Sequence, residues 1–329
     1  MREGVEMCHL RMLLLFLVCT SSHFFPALAE VQKRNPPSPG AQKVIIDTDI
    51  GDDIDDAFAL ALALRSPELD ILQVNSDFGN TPLRTRLLER YLDAVGRSDL
   101  TVATGVQTPM VERNFTQRAY ADREKPNTRP TVDAVTSTLA QIREHPGEIT
   151  LLTIGPLVNV EAMIDKDLTT FRKLKRVVMM GGSIATCDGT ESNCDDGTIA
   201  EWNILQDIHG AQKLFASGVS IYMMPLNSTR LKLDEVKRAA IFDKGTALTD
   251  QLAILYQQWG GLTPTLYDGM PVAYAIQPHL CPTKLMRIDV DAAGYTRVQP
   301  GASNANVCLH SDSQTFFEFY MSRLISPEK

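Results

Sequence analysis

The sequence predicts an α/β layered domain with a mainly parallel central sheet. Three observations carry that expectation. Strand-like apolar runs alternate with helical ones. The strand candidates are continuously apolar rather than alternating, as expected of strands covered on both faces. The most polar motifs fall just after them, at the carboxyl ends where open α/β sheets bind ligands.

The elements follow in chain order. Lys43–Asp47 holds the apolar Val44-Ile45-Ile46 and reads as the first strand. Asp55–Arg65 reads as a helix: two aspartates open it, where the helix dipole favours negative charge, and the run from Ala57 to Leu64 follows. Ile71–Ser76 is a strand ending before Phe78-Gly79-Asn80, and Pro82–Val95 is the helix after it. Val132–His145 is helical, and Ile149–Ile154 is a strand that stops at Gly155-Pro156. Val177–Met180 is a strand that stops at Gly181-Gly182. Asp207–Ser217 is helical, Val219–Pro225 is a strand, and Thr246–Gln258 and Ser313–Leu324 are helices. The polar segment Val111–Arg129 reads as a mobile loop over a site. No internal repeat and no dinucleotide-binding Gly-x-Gly-x-x-Gly occurs.

The 329 residues are 44% hydrophobic and 22% charged, ordinary globular composition and ample for a large core. A net charge of −8 argues against a nucleic-acid partner, which would favour a basic face. Leu10 to Val18 is strongly apolar, and Ala27-Leu28-Ala29 supplies a small-x-small cleavage pattern. Residues 1–29 are therefore expected to be a signal peptide cut after Ala29, with export to the periplasm or outside the cell. The apolar run is too short for a stable membrane span. Residues 30–42, with Pro36-Pro37-Ser38-Pro39-Gly40, read as a flexible linker, and 43–329 as the catalytic domain. Four cysteines then remain. Cys187 and Cys194 could close a polar loop, and Cys281 and Cys308 could tie the C-terminal strands. Four unrelated thiols are the alternative, and no zinc pattern is present.

The run from Asp47 to Asp56 packs six carboxylates into ten residues, directly after the first strand. Like charges at that density repel, so a fold that gathers them needs positive charge among them. An all-oxygen set suits a hard divalent cation. Gly51 permits the tight turn that aims several side chains at one point. A solvated acidic loop is the plain alternative. An EF-hand loop counted from Asp47 fails, because Asp52 and Phe58 stand where Gly and Glu are required. A haloacid-dehalogenase phosphatase, which also begins with a strand and Asp-x-Asp, fits less well because of Gly51 and the extra acidic pair.

Four further segments stand in order: Phe78-Gly79-Asn80, Ile154-Gly155-Pro156-Leu157-Val158-Asn159, Ala200-Glu201-Trp202-Asn203-Ile204, and Tyr267-Asp268-Gly269-Met270-Pro271-Val272-Ala273. Singly, each has an ordinary explanation as a turn or a helix cap. Together with the Asp run they resemble the inosine-uridine nucleoside hydrolases, over about Lys43 to Leu324. The resemblance implies an α/β nucleoside hydrolase fold with a Rossmann-like core, a Ca2+ ion at the base of the pocket, and hydrolysis of the N-glycosidic bond of ribonucleosides. Asp49 then matches the metal ligand that also activates water. Asp56, the backbone carbonyl of Ile154 and Asp268 match the other metal ligands. Asp55, Asn80, Glu201 and Asn203 match ribose contacts. Homodimers or homotetramers are common in the family.

Two departures bear on specificity. Two extra residues separate Gly51 from Asp55-Asp56, so Asp52 or Asp53 could share the role of that pair. Tyr267 stands where many pyrimidine-accepting members carry the His that protonates the leaving base, and no other His is an obvious substitute. The purine-preferring branch has a base-stacking aromatic there, so Tyr267 leans towards purine nucleosides. Two alternatives to a nucleoside hydrolase stay open: a noncatalytic nucleoside- or ribose-binding protein, and a hydrolase of another N-ribosyl compound.

Overall fold

The computed structural model describes residues 37–109, 115–122, 129–185 and 199–326. Its core is an eight-stranded sheet in the order β3-β2-β1-β4-β5-β6-β10-β7. The strands are β1 (Gln42–Thr48), β2 (Leu69–Ser76), β3 (Thr101–Ala103), β4 (Thr150–Thr153), β5 (Arg176–Met180), β6 (Ile221–Met224), β7 (Lys284–Met286) and β10 (Ala305–Val307). All paired neighbours run parallel except β7, which is antiparallel to β10. A separate ribbon pairs β8 (Ile288–Val290) with β9 (Thr296–Val298).

Alternate residues of each strand feed different helical layers. Val44 and Ile46 pack with α1 (Asp55–Leu64), α2 (Thr81–Ala94), α10 (Ala247–Trp259), α11 (Gly269–Ile276) and α12 (Ser313–Leu324). Ile45, Leu151 and Val177 pack with α4 (Ala134–Glu144), α5 (Val158–Phe171) and α7 (Ile208–Ala216). Period-2 side chains on a pleated strand require this division. Every residue of α1 from Asp55 to Ala63 is buried, because α1 lies against α10, α11 and α12. That explains its lack of a polar face.

The expected elements are present, with ends shifted by one or two residues. The remaining helices are α3 (Arg118–Ala121), α6 (Trp202–Gln206), α8 (Leu226–Thr229) and α9 (Glu235–Phe242). The helix α5 escaped the pattern reading. It kinks at Asp167 (φ −161°, ψ 77°), which interrupts the helical period. The segment expected as a loop between Val111 and Arg129 carries α3 in its described part. There Phe115 and Tyr120 are buried and Gln117 donates to the Asp53 carbonyl. Cys281 and Cys308 form a disulfide, which ties the chain after α11 to the end of β10. Cys187, Cys194 and residues 1–36 lie outside the described residues, and so does the proposed leader. No described helix is long and apolar enough to cross a membrane.

Candidate active site

Adjacent parallel strands β1 and β4 send their following chains to opposite sides: β1 leads through α1 to β2, and β4 through α5 to β5. A crevice opens at such a switch point. Here a cavity of about 400 Å³ lies at the carboxyl ends of these strands. Asp49 follows β1, Ile154 follows β4, and the Ile154 amide donates to the Asp47 carbonyl at 2.9 Å.

Asp49, Asp55, Asp56 and Asp268 line the cavity and are all buried. One carboxylate oxygen each from Asp55, Asp56 and Asp268 falls within 4.8 Å of the others. Asp55 Oδ2 accepts from the Asp268 amide at 3.3 Å, and Asp56 Oδ1 accepts from Thr48 Oγ1. Burial pushes the Asp49 carboxyl up to about 7, although Arg84 pulls it down. Burial also raises Asp55, Asp56 and Asp268 well above the usual range; repulsion from Asp49 adds to all three, while hydrogen bonds with Asp268 partly offset the rise at Asp55. A buried cation among them would relieve both penalties. Ile154 lies on the same lining, and its carbonyl is a neutral oxygen that accepts from Asn203 Nδ2 at 3.4 Å. All-oxygen donors at this spacing fit a hard divalent ion. Gly155 makes the arrangement possible, since a Cβ there would stand 2.9 Å from Asp49 Oδ1.

The other predicted residues divide. Glu201 and Asn203 line the cavity. Glu201 caps α6, accepting from the amides of Gly182 at 2.8 Å, Asn203 at 2.9 Å and Ile204 at 3.2 Å. Asn203 Nδ2 donates to the carbonyls of Met180 at 3.3 Å and Ile154 at 3.4 Å. Tyr267 is half-buried on the lining. Asn80 lies outside that lining; its Oδ1 caps α2 by accepting from the Leu83 amide at 3.1 Å.

Two functional residues were missed. Trp202, inside one of the motifs, lines the cavity while 48% exposed, its ring edge-on to Phe78 at 6.4 Å. Arg84 is fully buried behind the Asp run. It donates to the carbonyls of Asp49, Ile50 and Phe78, and pairs with Asp52 at 2.9 Å over the Phe115 ring. The dense negative charge of the run was the signal to look for such a partner. Asp52 and Asp53, the extra pair, line the opening.

All four histidines after residue 36 lie elsewhere. His145 ends α4, His209 is in α7, and His279 and His310 line a second cavity of about 420 Å³ beside the disulfide. Thr283, Lys284, Asp312 and Thr315 complete the polar lining there.

The family model described as inosine-uridine preferring nucleoside hydrolase matches residues 44–318. An uncharacterized protein of Schizosaccharomyces pombe is 28% identical over 86% of this chain and 98% of its own. The pyrimidine-specific ribonucleoside hydrolase RihA of Citrobacter koseri is 29% identical over the same shares. Among solved structures, a plant nucleoside hydrolase, PpNRh1, has a TM-score of 0.74 at 24% identity, covering 88% of this chain and 100% of its own. The purine-preferring ribonucleoside hydrolase of Gardnerella vaginalis has a TM-score of 0.74 at 23% identity, covering 86% and 98%.

Proposed function

The chain belongs to the inosine-uridine preferring nucleoside hydrolase family, and on that premise we propose that it is an exported, Ca2+-dependent ribonucleoside hydrolase leaning towards purine bases. One observation carries the reading most strongly. Four buried carboxylates line one cavity, with Ile154 beside them, at the switch point of a parallel sheet.

The roles follow from chemistry and position. Asp49, Asp56, Asp268 and the Ile154 carbonyl would hold Ca2+, which when bound supplies positive charge and a template for water and the sugar diol. Asp55, Glu201 and Asn203 face the ribose hydroxyls. Asn80, outside the cavity lining, is the fourth ribose contact in this reading. A sugar lacking a hydroxyl would leave one of these polar groups unpaired. The C1′–N bond breaks through a state with positive charge on the ribose, and the surrounding carboxylates stabilise that charge. Asp49 takes the proton of the attacking water as general base. Tyr267 and Trp202 flank the remaining space and offer aromatic faces to a base.

Several observations support the finer points. The Tyr267 ring supports the purine lean, as does the purine-preferring name of one structural neighbour. The pyrimidine-specific name of RihA points the other way. The leader-like N-terminus and the Cys281–Cys308 disulfide support export. A homodimer or homotetramer is the proposed assembly.

Base release from a panel of purine and pyrimidine ribonucleosides, with Ca2+ and after chelation, tests the reading. Chelator-sensitive cleavage is the expected result. No release from any riboside, by folded protein with metal bound, overturns it.

A further inference from the structure

We propose that the cavity beside the Cys281–Cys308 disulfide binds a small phosphomonoester, its phosphate held by His279, Lys284 and His310 and its apolar body seated against the bridged walls. This site is separate from the hydrolase reading and does not rest on it.

The walls are covalently tied. Leu280 and Pro282 are the chain neighbours of Cys281, and Val307 and Leu309 are those of Cys308; these four make the apolar lining. The bridge therefore fixes one wall to the other, and β10 pairs with β7 beside them, Val307 opposite Lys284. A cavity of about 420 Å³ is in the range of small-molecule sites. Walls held in place cost little ordering when a ligand enters.

The donors are uncommitted. His279, Lys284 and His310 reach the lining from the turn after α11, from β7 and from the chain after β10. Among the described residues no acid pairs with Lys284, and neither imidazole has a hydrogen-bond partner. The single acid of the lining, Asp312, accepts from the Thr315 hydroxyl at 2.6 Å and from the Thr315 amide at 2.7 Å. Its charge is committed to the start of α12, with His310 attracting it more weakly.

These groups select an anion. A metal ion does not fit, because the three acids or imidazoles that close within 4.8 Å among the described residues are Asp55, Asp56 and Asp268. The first cavity repels anions with its carboxylates, whereas this lining sets one satisfied acid against an ammonium and two imidazoles. A planar carboxylate is best gripped by the fork of an arginine, and no arginine lines this cavity among the described residues. Three separate donors suit the three terminal oxygens of a phosphate, with lysine as the point charge.

The test titrates the protein with benzyl phosphate, benzyl alcohol, inorganic phosphate and benzoate. Calorimetry gives the affinities, and the imidazole C–H signals of His279 and His310 report the place. Benzyl phosphate is expected to bind at least about tenfold more tightly than each of the other three, the worth of one charge-assisted hydrogen bond. It should move both imidazole signals. No histidine lines the first cavity among the described residues, so these signals read the second. Lys284→Ala should weaken benzyl phosphate about tenfold. Asp312→Asn should tighten it about threefold by removing a repelling charge. Both side chains are exposed, so both variants are expected to fold. Unmoved imidazole signals overturn the proposal, and so does unchanged affinity in Lys284→Ala. Benzyl alcohol or inorganic phosphate binding as tightly as benzyl phosphate removes the head or the body from the site, and the proposal with it. Equal binding of benzoate overturns the phosphate assignment.

Discussion

Two cavities of nearly equal volume, about 400 and about 420 Å³, handle their acids in opposite ways. At the strand ends, Asp55 and Asp56 open α1, and burial holds both far above the usual carboxylate range. Beside the disulfide, Asp312 opens α12, and hydrogen bonds from the Thr315 hydroxyl and amide hold its carboxyl below that range. All three acids stand at helix N-termini, so the dipole does not distinguish them. Solvent and partners do. The first cavity gathers charge that the chain alone does not satisfy, which marks a place for something else to bind. In the second, the acid is satisfied by its own helix. Size alone would not have separated them.

The sharpest way to break this contrast is Asp49→Asn. Loss of a general base is expected to lower kcat/KM about 10³-fold, whereas Lys284→Ala in the second cavity should leave it within about twofold. The same substitution should raise the melting temperature of metal-free protein at neutral pH. The sign follows from linkage. The folded Asp49 titrates at about 7 against 3.8 ordinarily, so metal-free protein loses stability as pH rises from about 4 to about 7. Asparagine has no such loss. If thermal melts of metal-free protein show the variant less stable at pH 8, the floor is not charge-strained and the comparison fails.

Removal of the disulfide acts on the other region. The bridge closes a loop of 27 residues, so replacing Cys281 and Cys308 by Ala is expected to cost about 3.5 kcal/mol in denaturant melts. Specific activity of the folded fraction should change little. A thousandfold loss would show that the two cavities are coupled.

Arg84→Met tests the one buried cation of the first region among the described residues. It leaves the Asp49, Ile50 and Phe78 carbonyls without their donor and Asp52 without its partner. A cost of about 3 kcal/mol is expected, the low end for breaking a buried pair, because Asp52 is 20% exposed. Arg84→Lys should recover only part of that loss, since one ammonium cannot reach three carbonyls in the guanidinium's fork. Full recovery in urea melts would reduce Arg84 to a point charge.

The two regions were not equally legible in the sequence. The floor was, because carboxylate density, Gly51 and the strand before it are local signals. The five apolar strands were legible too, because burial on both faces makes them continuous. The C-terminal region was not. The strands β7 to β10 are three residues each, too short for a period to register. The Cys281–Cys308 pairing was open to sequence reading only as one alternative, since spacing does not decide connectivity. Arg84 was invisible for a different reason: it sits 32 residues from Asp52, and only the pairing of β1 with β2 brings their loops together. Trp202 was quoted within a motif, but which way an indole faces depends on the whole fold.

The smallest effect, Asp312→Asn, sharpens the comparison from the side of the satisfied acid. The folded carboxyl titrates below its ordinary 3.8, first through the Thr315 hydroxyl, then through the Thr315 amide, with His310 adding a smaller pull. A depressed acid contributes stability that is present above the unfolded value and lost as pH falls through the folded one. Asparagine still caps the helix, so only the charge is lost. The variant should therefore melt lower than wild type at pH 7 by about 2 °C at most. That gap should hold down to about pH 5 and close as pH falls below 3.8. This is the reverse of Asp49, whose replacement should help most at high pH. Melting curves of both variants across pH 3 to 8 would put the two signs on one axis. If both gaps moved the same way with pH, the acids of the two cavities would be in the same condition, and only the first reading of their chemistry would have to be given up.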